Sequence, residues 1–260
     1  MIKVTEEKNI AFVSLDRPEV RNSFNPQLIE KITTAFATLS MRKDLRAIVL
    51  SGEGKVFCAG ADLNWMKEMI LYNLQKNEED AHLLFKMFAA VWNCPIPVVG
   101  LVHGAAFGGA LGLVACCDYV IAEEHTKLCY SEVRLGLVPA VISHFILRKC
   151  ATGVMAPLML TGKIFSPKEI AGSGFIHEIV PENHLAESLA KVIQYFNDSG
   201  PEAVRDTKQL TRKMWDLNWS QSADESCKVI SQRRISSEGQ EGLLAFLEKR
   251  DPNWKIQNGQ

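Results

Sequence analysis

Two runs of small residues and one acid are the places where this chain could do chemistry. The first run is Phe57-Cys58-Ala59-Gly60-Ala61-Asp62, and the second is Gly104-Ala105-Ala106-Phe107-Gly108-Gly109-Ala110-Leu111-Gly112. Small residues ahead of a helix let the backbone approach a ligand closely and leave free N–H groups aimed at an anion. Tight packing of a helix on a sheet calls for the same composition, so each run alone is open to a purely structural reading. The acid is Glu132, after Tyr130-Ser131, where a lone glutamate is otherwise a solvated surface residue. His103, just before the second run, reads as a hydrogen-bonding core histidine before it reads as a base. Glu123 and Glu124 suit a solvated strand end, Asp118 a cap or turn, and the basic residues of 205–213 a helix surface. There is no P-loop, HExxH, GxSxG or complete dinucleotide fingerprint, and the second glycine run lacks the dinucleotide spacing.

The elements that must position these residues follow from hydrophobic period and punctuation. Residues 10–15 and 47–51 are short apolar runs stopped by Asp16-Arg17-Pro18 and by Gly52, which predicts buried strands. Asn25-Pro26 is an N-cap with proline at the first helical position, and Leu28, Ile29, Ile32, Ala35, Phe36 and Leu39 follow at helical spacing. Residues 72–80 are polar and predict a mobile connection, before a helical pattern resumes over 83–92. Strands are predicted at 96–102 and 119–122, an extended piece at 128–133, helices at 143–150 and 168–171, and a last strand at 174–180. The second glycine run lies between two of these strands, as a turn into a buried helix. Beyond Pro181 the pattern is helical to the end, in segments 185–197, 201–218, 220–236 and 241–249. Strands interleaved with helices and then a helical tail predict an α/β fold with a helical appendage.

Composition excludes several classes. The chain has 260 residues, 47% hydrophobic and 23% charged, an ordinary globular balance. Lys plus Arg number 29 against 30 Asp plus Glu, and a net charge of -1 gives little phosphate steering, so no nucleic-acid partner is expected. The opening residues carry Glu6 and Glu7 and no apolar run, unlike a signal peptide. Seven cysteines without a CxxC pair suggest reduced thiols in a cytoplasmic protein, with neither a disulfide frame nor a metal site. Residues 96–117 are apolar for long enough to span a bilayer. Pro95 and Pro97 at the start and the absence of basic flanks favour a buried strand and helix instead, so no membrane partner is expected.

The two small-residue runs occur in order and are followed by Ser131-Glu132-Val133-Arg134-Leu135-Gly136-Leu137-Val138-Pro139. Together with Asp16-Arg17-Pro18-Glu19-Val20-Arg21-Asn22 near the start and Glu241-Gly242-Leu243-Leu244-Ala245-Phe246-Leu247-Glu248-Lys249-Arg250 in the tail, this set resembles the crotonase (enoyl-CoA hydratase/isomerase) superfamily over nearly the whole length. Ala115-Cys116-Cys117-Asp118 and the continuation Ala140-Val141-Ile142-Ser143 are similar to bacterial methylglutaconyl-CoA hydratase-like members. The resemblance implies a spiral of repeated ββα units over 1–195 holding an acyl-CoA site. A helical region over 196–260 would build a homotrimer or a dimer of trimers. It also implies an oxyanion hole from the amides of Ala61 and Gly109, and Glu132 as the catalytic carboxylate. Contacts to the substrate would fall near Val20, Ala59, Asp62, Leu63, Gly108 and Gly112, with Phe246 and Lys249 reaching CoA, in some cases of a neighbouring subunit. Coenzyme A enters as a thioester substrate; no cofactor and no metal are implied.

One departure affects the reaction. Typical hydratases of this superfamily carry two glutamates, and the first falls here on Gly112, which has no side chain. Adding water to a double bond needs a base for water and an acid for the alpha carbon, roles that two carboxylates divide. One carboxylate suffices to shift a double bond, so the resemblance leaves a hydratase of branched or methylglutaconyl-type enoyl-CoA, in the lyase class, beside an enoyl-CoA isomerase. A catalytically weak acyl-CoA-binding or RNA-binding relative is a third reading. The missing side chain also predicts extra room for a branched acyl group.

Overall fold

A computed structural model describes residues 1–255. The chain opens with the hairpin β1 (Ile2–Glu7) and β2 (Ile10–Leu15), turned by Lys8 and Asn9, both at positive φ. Next comes α1 (Pro26–Ser40), where Asn25 accepts a hydrogen bond from the Leu28 amide at 2.8 Å and so caps the helix. The order continues β3 (Ala47–Gly52), α2 (Leu63–Met69), α3 (Leu74–Trp92), β4 (Val98–Val102), β5 (Ala105–Phe107) and α4 (Gly109–Cys116). Then follow β6 (Tyr119–Glu123), β7 (Lys127–Cys129), α5 (Ala140–Lys149), α6 (Thr152–Thr161), β8 (Ile164–Phe165) and β9 (Glu178–Val180). The tail is α7 (Leu185–Asp198), α8 (Pro201–Lys213), α9 (Trp219–Ile235) and α10 (Ser237–Glu248).

Six strands form one sheet in the order β1-β2-β3-β4-β6-β9, parallel except for the opening hairpin. Both faces of its central strands are covered, which is why those strands read as unbroken apolar runs. On one face Ile10, Ala47, Val49, Val99 and Ile121 meet Leu189 and Val192 of α7. On the other face Ala11, Val13, Ile48, Leu50, Val98 and Val120 enter the main core with α1, α3 and α4. Three short strands, in the order β5-β7-β8, make a second sheet.

The tail is tied to this frame by charge. Lys208 and Arg212 of α8 each approach Asp118 at 2.6 Å, just past the end of α4. Asp118 also accepts the Val98 amide at 2.7 Å, and Lys208 donates to the Ile96 carbonyl at 2.9 Å. Burial works against the Asp118 charge, yet the two cations hold its carboxyl below the ordinary carboxylate range. The domain boundary expected at 195/196 falls inside α7, which runs to Asp198.

Several elements differ from expectation. Residues 72–80 are not a loose connection: Asn73 caps α3, and Asp80 on its second turn is buried and accepts the Trp65 indole N–H at 3.2 Å. Residues 128–133 are not extended throughout, because the chain leaves β7 and coils into a 3₁₀ turn at Glu132–Leu135. The expected helix at 168–171 is a 3₁₀ turn, Pro167–Ile170. The elements β5, α6 and β8 are additions. Among the described residues no helix is long and apolar enough to cross a membrane, and the apolar stretch 96–117 is β4, β5 and α4.

Candidate active site

Register brings the two small-residue runs and Glu132 to one place. Cys58 bridges Ala106 in parallel, and Ala106 pairs with Leu128 in parallel. Three residues beyond those paired positions stand Ala61, Gly109 and Ser131, with Glu132 next. Three parallel segments therefore leave the small sheet in the same direction and deliver their following turns together. Gly108 donates its amide to the Cys129 carbonyl at 2.9 Å, which locks the second turn to the strand before Glu132.

Phe24 stitches the first turn to the second. Its amide donates to the Gly60 carbonyl at 2.7 Å and its own carbonyl accepts the Asp62 amide at 2.8 Å, so its backbone brackets Ala61. Its ring lies under α4: a Cβ on Gly109 would stand 3.2 Å from Phe24 Cε2. Gly60 sits at φ 93°, and a Cβ there would meet the Phe107 carbonyl oxygen at 2.9 Å, so only glycine allows the two turns to approach this closely. Among the described residues no backbone acceptor takes the Ala61 or Gly109 amide. Gly109 is the first residue of α4, where an N–H has no intrahelical partner and the helix end carries partial positive charge.

Glu132 faces this pair of turns. A Cβ added to Gly108 would lie 3.3 Å from Glu132 Oε1 and 3.4 Å from Ser131 Oγ. Gly108 has φ 54° and ψ −123°, a conformation that side chains avoid, so glycine here supplies both the bend and the room for the carboxylate. The Oε2 atom is shut from solvent with no hydrogen-bond partner among the described residues. Burial raises the carboxyl above its usual range, against a smaller opposing effect of its own backbone N–H. Cys58, at the base of the first turn, is fully buried with its thiol pushed up to about 12, so it is inert as a nucleophile.

The other expected residues divide into three groups. Ala59 lies in the first turn and donates its amide to Arg21 at 3.0 Å; Val20 is exposed on the adjoining turn Pro18–Val20. Leu63 begins α2 with its side chain 74% exposed, while the Asp62 carboxylate is occupied, accepting the Asn64 amide at 2.9 Å and Arg17 at 2.9 Å. Asp62 thus caps α2 and fixes the turn. Phe246 belongs to α10, which packs on α8 and α9 and leaves it 82% exposed, and Lys249 is the left-handed residue that caps the end of that helix.

Gly112 carries no spare room, contrary to the expectation. It is buried, and a Cβ there would stand 2.7 Å from both Phe88 Cζ and Ile142 Cγ2. A residue that sequence reading missed is Asn22, fully buried in the left-handed region at φ 57°. Its side chain accepts the Arg17 amide and donates to the Glu53 and Val56 carbonyls at 2.8 and 3.0 Å, tying the 17–22 loop to the approach of the first turn. Asn after Arg21 in a Pro-led turn is the available signal, since Asn tolerates that backbone region.

With this geometry, comparison with known proteins decides the lineage. The family model "Enoyl-CoA hydratase/isomerase" matches residues 5–257. The chain belongs to the enoyl-CoA hydratase/isomerase family. An enoyl-CoA hydratase of Alternaria alternata is 31% identical over 247 residues, 94% of this chain and 80% of that one. Among solved structures, an enoyl-CoA hydratase from Shewanella pealeana superposes with a TM-score of 0.92 at 34% identity, covering 97% of this chain and 95% of that one. Pseudomonas aeruginosa AtuE gives 0.94 at 25% identity, with 98% and 99% covered. The fold is the crotonase fold, and membership in this enzyme family is consistent with an acyl-CoA substrate.

Proposed function

We propose that this family member hydrates an enoyl-CoA thioester with Glu132 as its only catalytic carboxylate. The observation that carries the reading is the desolvated, unpartnered Glu132 Oε2 beside two turns whose Ala61 and Gly109 amides are free. The thioester oxygen takes those two amides, which stabilise the enolate charge that develops there. Water adds its oxygen at the beta carbon, and Glu132 relays the water's proton toward the alpha carbon; no oxidant or cofactor enters the balance. Val20, Ala59 and Leu63 flank the CoA chain, while Phe246 and Lys249 close over the CoA of a neighbouring subunit in a trimer or dimer of trimers. A cytoplasmic setting accords with the cysteines, six buried and Cys227 exposed among the described residues.

For the acyl group we propose a branched or methylglutaconyl-type chain. The likeness of residues 115–118 and 131–143 to such hydratases supports this; packing at Gly112 adds nothing to it.

A second reading, double-bond isomerisation, is favoured by one observation: Phe88 and Ile142 fill the place beside Gly112, so that position supplies no second carboxylate. Turnover of 3-methylglutaconyl-CoA and crotonyl-CoA in oxygen-18 water separates the two. Label in a beta-hydroxyl product is expected, with the branched thioester faster. A shifted double bond without oxygen uptake would transfer the assignment to the isomerase.

A further inference from the structure

We propose that Phe88 and Ile142 together close the α4 wall at position 112, so that it admits neither a side chain nor a polar group, and the site keeps one carboxylate by packing. This rests on the functional reading above. Residue 112 lies one helical turn beyond Gly108 and Gly109, the residues that meet Glu132 and Phe24, so a side chain there would project along the same face. The space is occupied by an aromatic edge: a Cβ on Gly112 would be 2.7 Å from Phe88 Cζ, 2.8 Å from its Cε1 and 2.7 Å from Ile142 Cγ2.

The ring cannot swing away freely. Phe88 is fully buried and sits edge-on between Phe24, at 6.5 Å between centroids, and Phe145, at 5.6 Å. Close-packed aromatic clusters of this kind resist even a single added methyl. Through Phe24 the same cluster braces the backbone on both sides of Ala61. The wall is therefore continuous from position 112 to the first turn, and the groups that build it, Phe88, Ile142 and Phe24, are all hydrocarbon.

Two pairs of variants test the wall. Gly112→Ala is expected to lower Tm by roughly 3–8 °C through overcrowding. In the Phe88→Leu background the same change should cost less than half of that. Equal losses in both backgrounds, or no loss in either, would overturn the steric claim, and no substrate is needed to see it. The kinetic pair is Phe88→Ala and Phe88→Ala with Gly112→Glu. The double variant is expected to show an additional ionisation in its pH–rate profile, absent from the single one. A folded double variant with the profile of Phe88→Ala would show that the space does not open on the site. Failure of the functional reading is seen separately, in a Glu132→Gln enzyme that retains turnover.

Discussion

The Glu132 carboxylate rests against the Cα of Gly108, so closely that a methyl group there would stand 3.3 Å from Oε1. Two requirements meet at this contact. A φ of 54° bends the chain into α4, and the absence of a side chain leaves the carboxylate its place. Gly108→Ala must violate both, and it should lower kcat by about ten-fold or more and Tm by a few degrees, since such backbone strain costs on the order of 1–3 kcal/mol. Steady-state kinetics and a thermal melt measure this directly; unchanged values for both would show the contact to be incidental.

Gly109 offers a clean removal of one donor. Proline is accepted at the first position of a helix, so Gly109→Pro deletes the N–H while α4 keeps its start. Turnover should fall by about 10²–10³, the usual effect of losing one oxyanion donor. Gly109→Ala, which keeps the amide and brings a Cβ 3.2 Å from Phe24, should lose far less. Equal losses in the two variants would remove the amide from the mechanism.

The raised carboxyl of Glu132 makes a signed statement about stability. A carboxyl raised in the folded state binds its proton more tightly there than in the unfolded chain, so folding is penalised once pH climbs through the folded value. Glu132→Gln removes a buried charge and keeps the shape. The variant should melt above the wild type at neutral pH, and the gap should close as pH falls below the ordinary carboxylate range. A variant that melts lower at neutral pH would mean that the ionised form is stabilised in the native site.

The tail docks through Asp118. Removing Lys208 leaves a mostly buried carboxylate with one cation fewer, and breaking such a pair costs roughly 3 kcal/mol. Lys208→Met should therefore lower Tm by roughly 6–12 °C. Phe246, 82% exposed on the single chain, is free to bury itself against a neighbouring subunit, so Phe246→Ala should weaken CoA affinity and shift the assembly toward monomers in sedimentation. Native affinity and mass in that variant would remove Phe246 from both roles.

Much of the site was readable because it depends on backbone. The runs 57–62 and 104–112 announce themselves by small residues, and their free amides follow from the turns they make. Glu132 was legible only through its neighbours in the matching segment, since nothing in a lone acid after Tyr130-Ser131 reveals burial. Long-range packing was not legible. That Phe88 fills the place beside Gly112 depends on α3 lying against α4, and a glycine in sequence looks the same whether the space beside it is empty or full. The helix over 74–92 was missed at its start because its first turns are polar, and Asp80 is held by Trp65, a partner fifteen residues away. The strand β5 was hidden inside the glycine run because it is three residues long and paired only at a distance.

The central claim is that Glu132 alone moves the proton. It is tested most directly by the single-turnover rate of Glu132→Gln on an enoyl-CoA thioester that the wild type converts, measured beside its affinity for that thioester. The account predicts a rate lower by about 10²–10⁴ with affinity within about two-fold of wild type. A rate within about five-fold of wild type would contradict it.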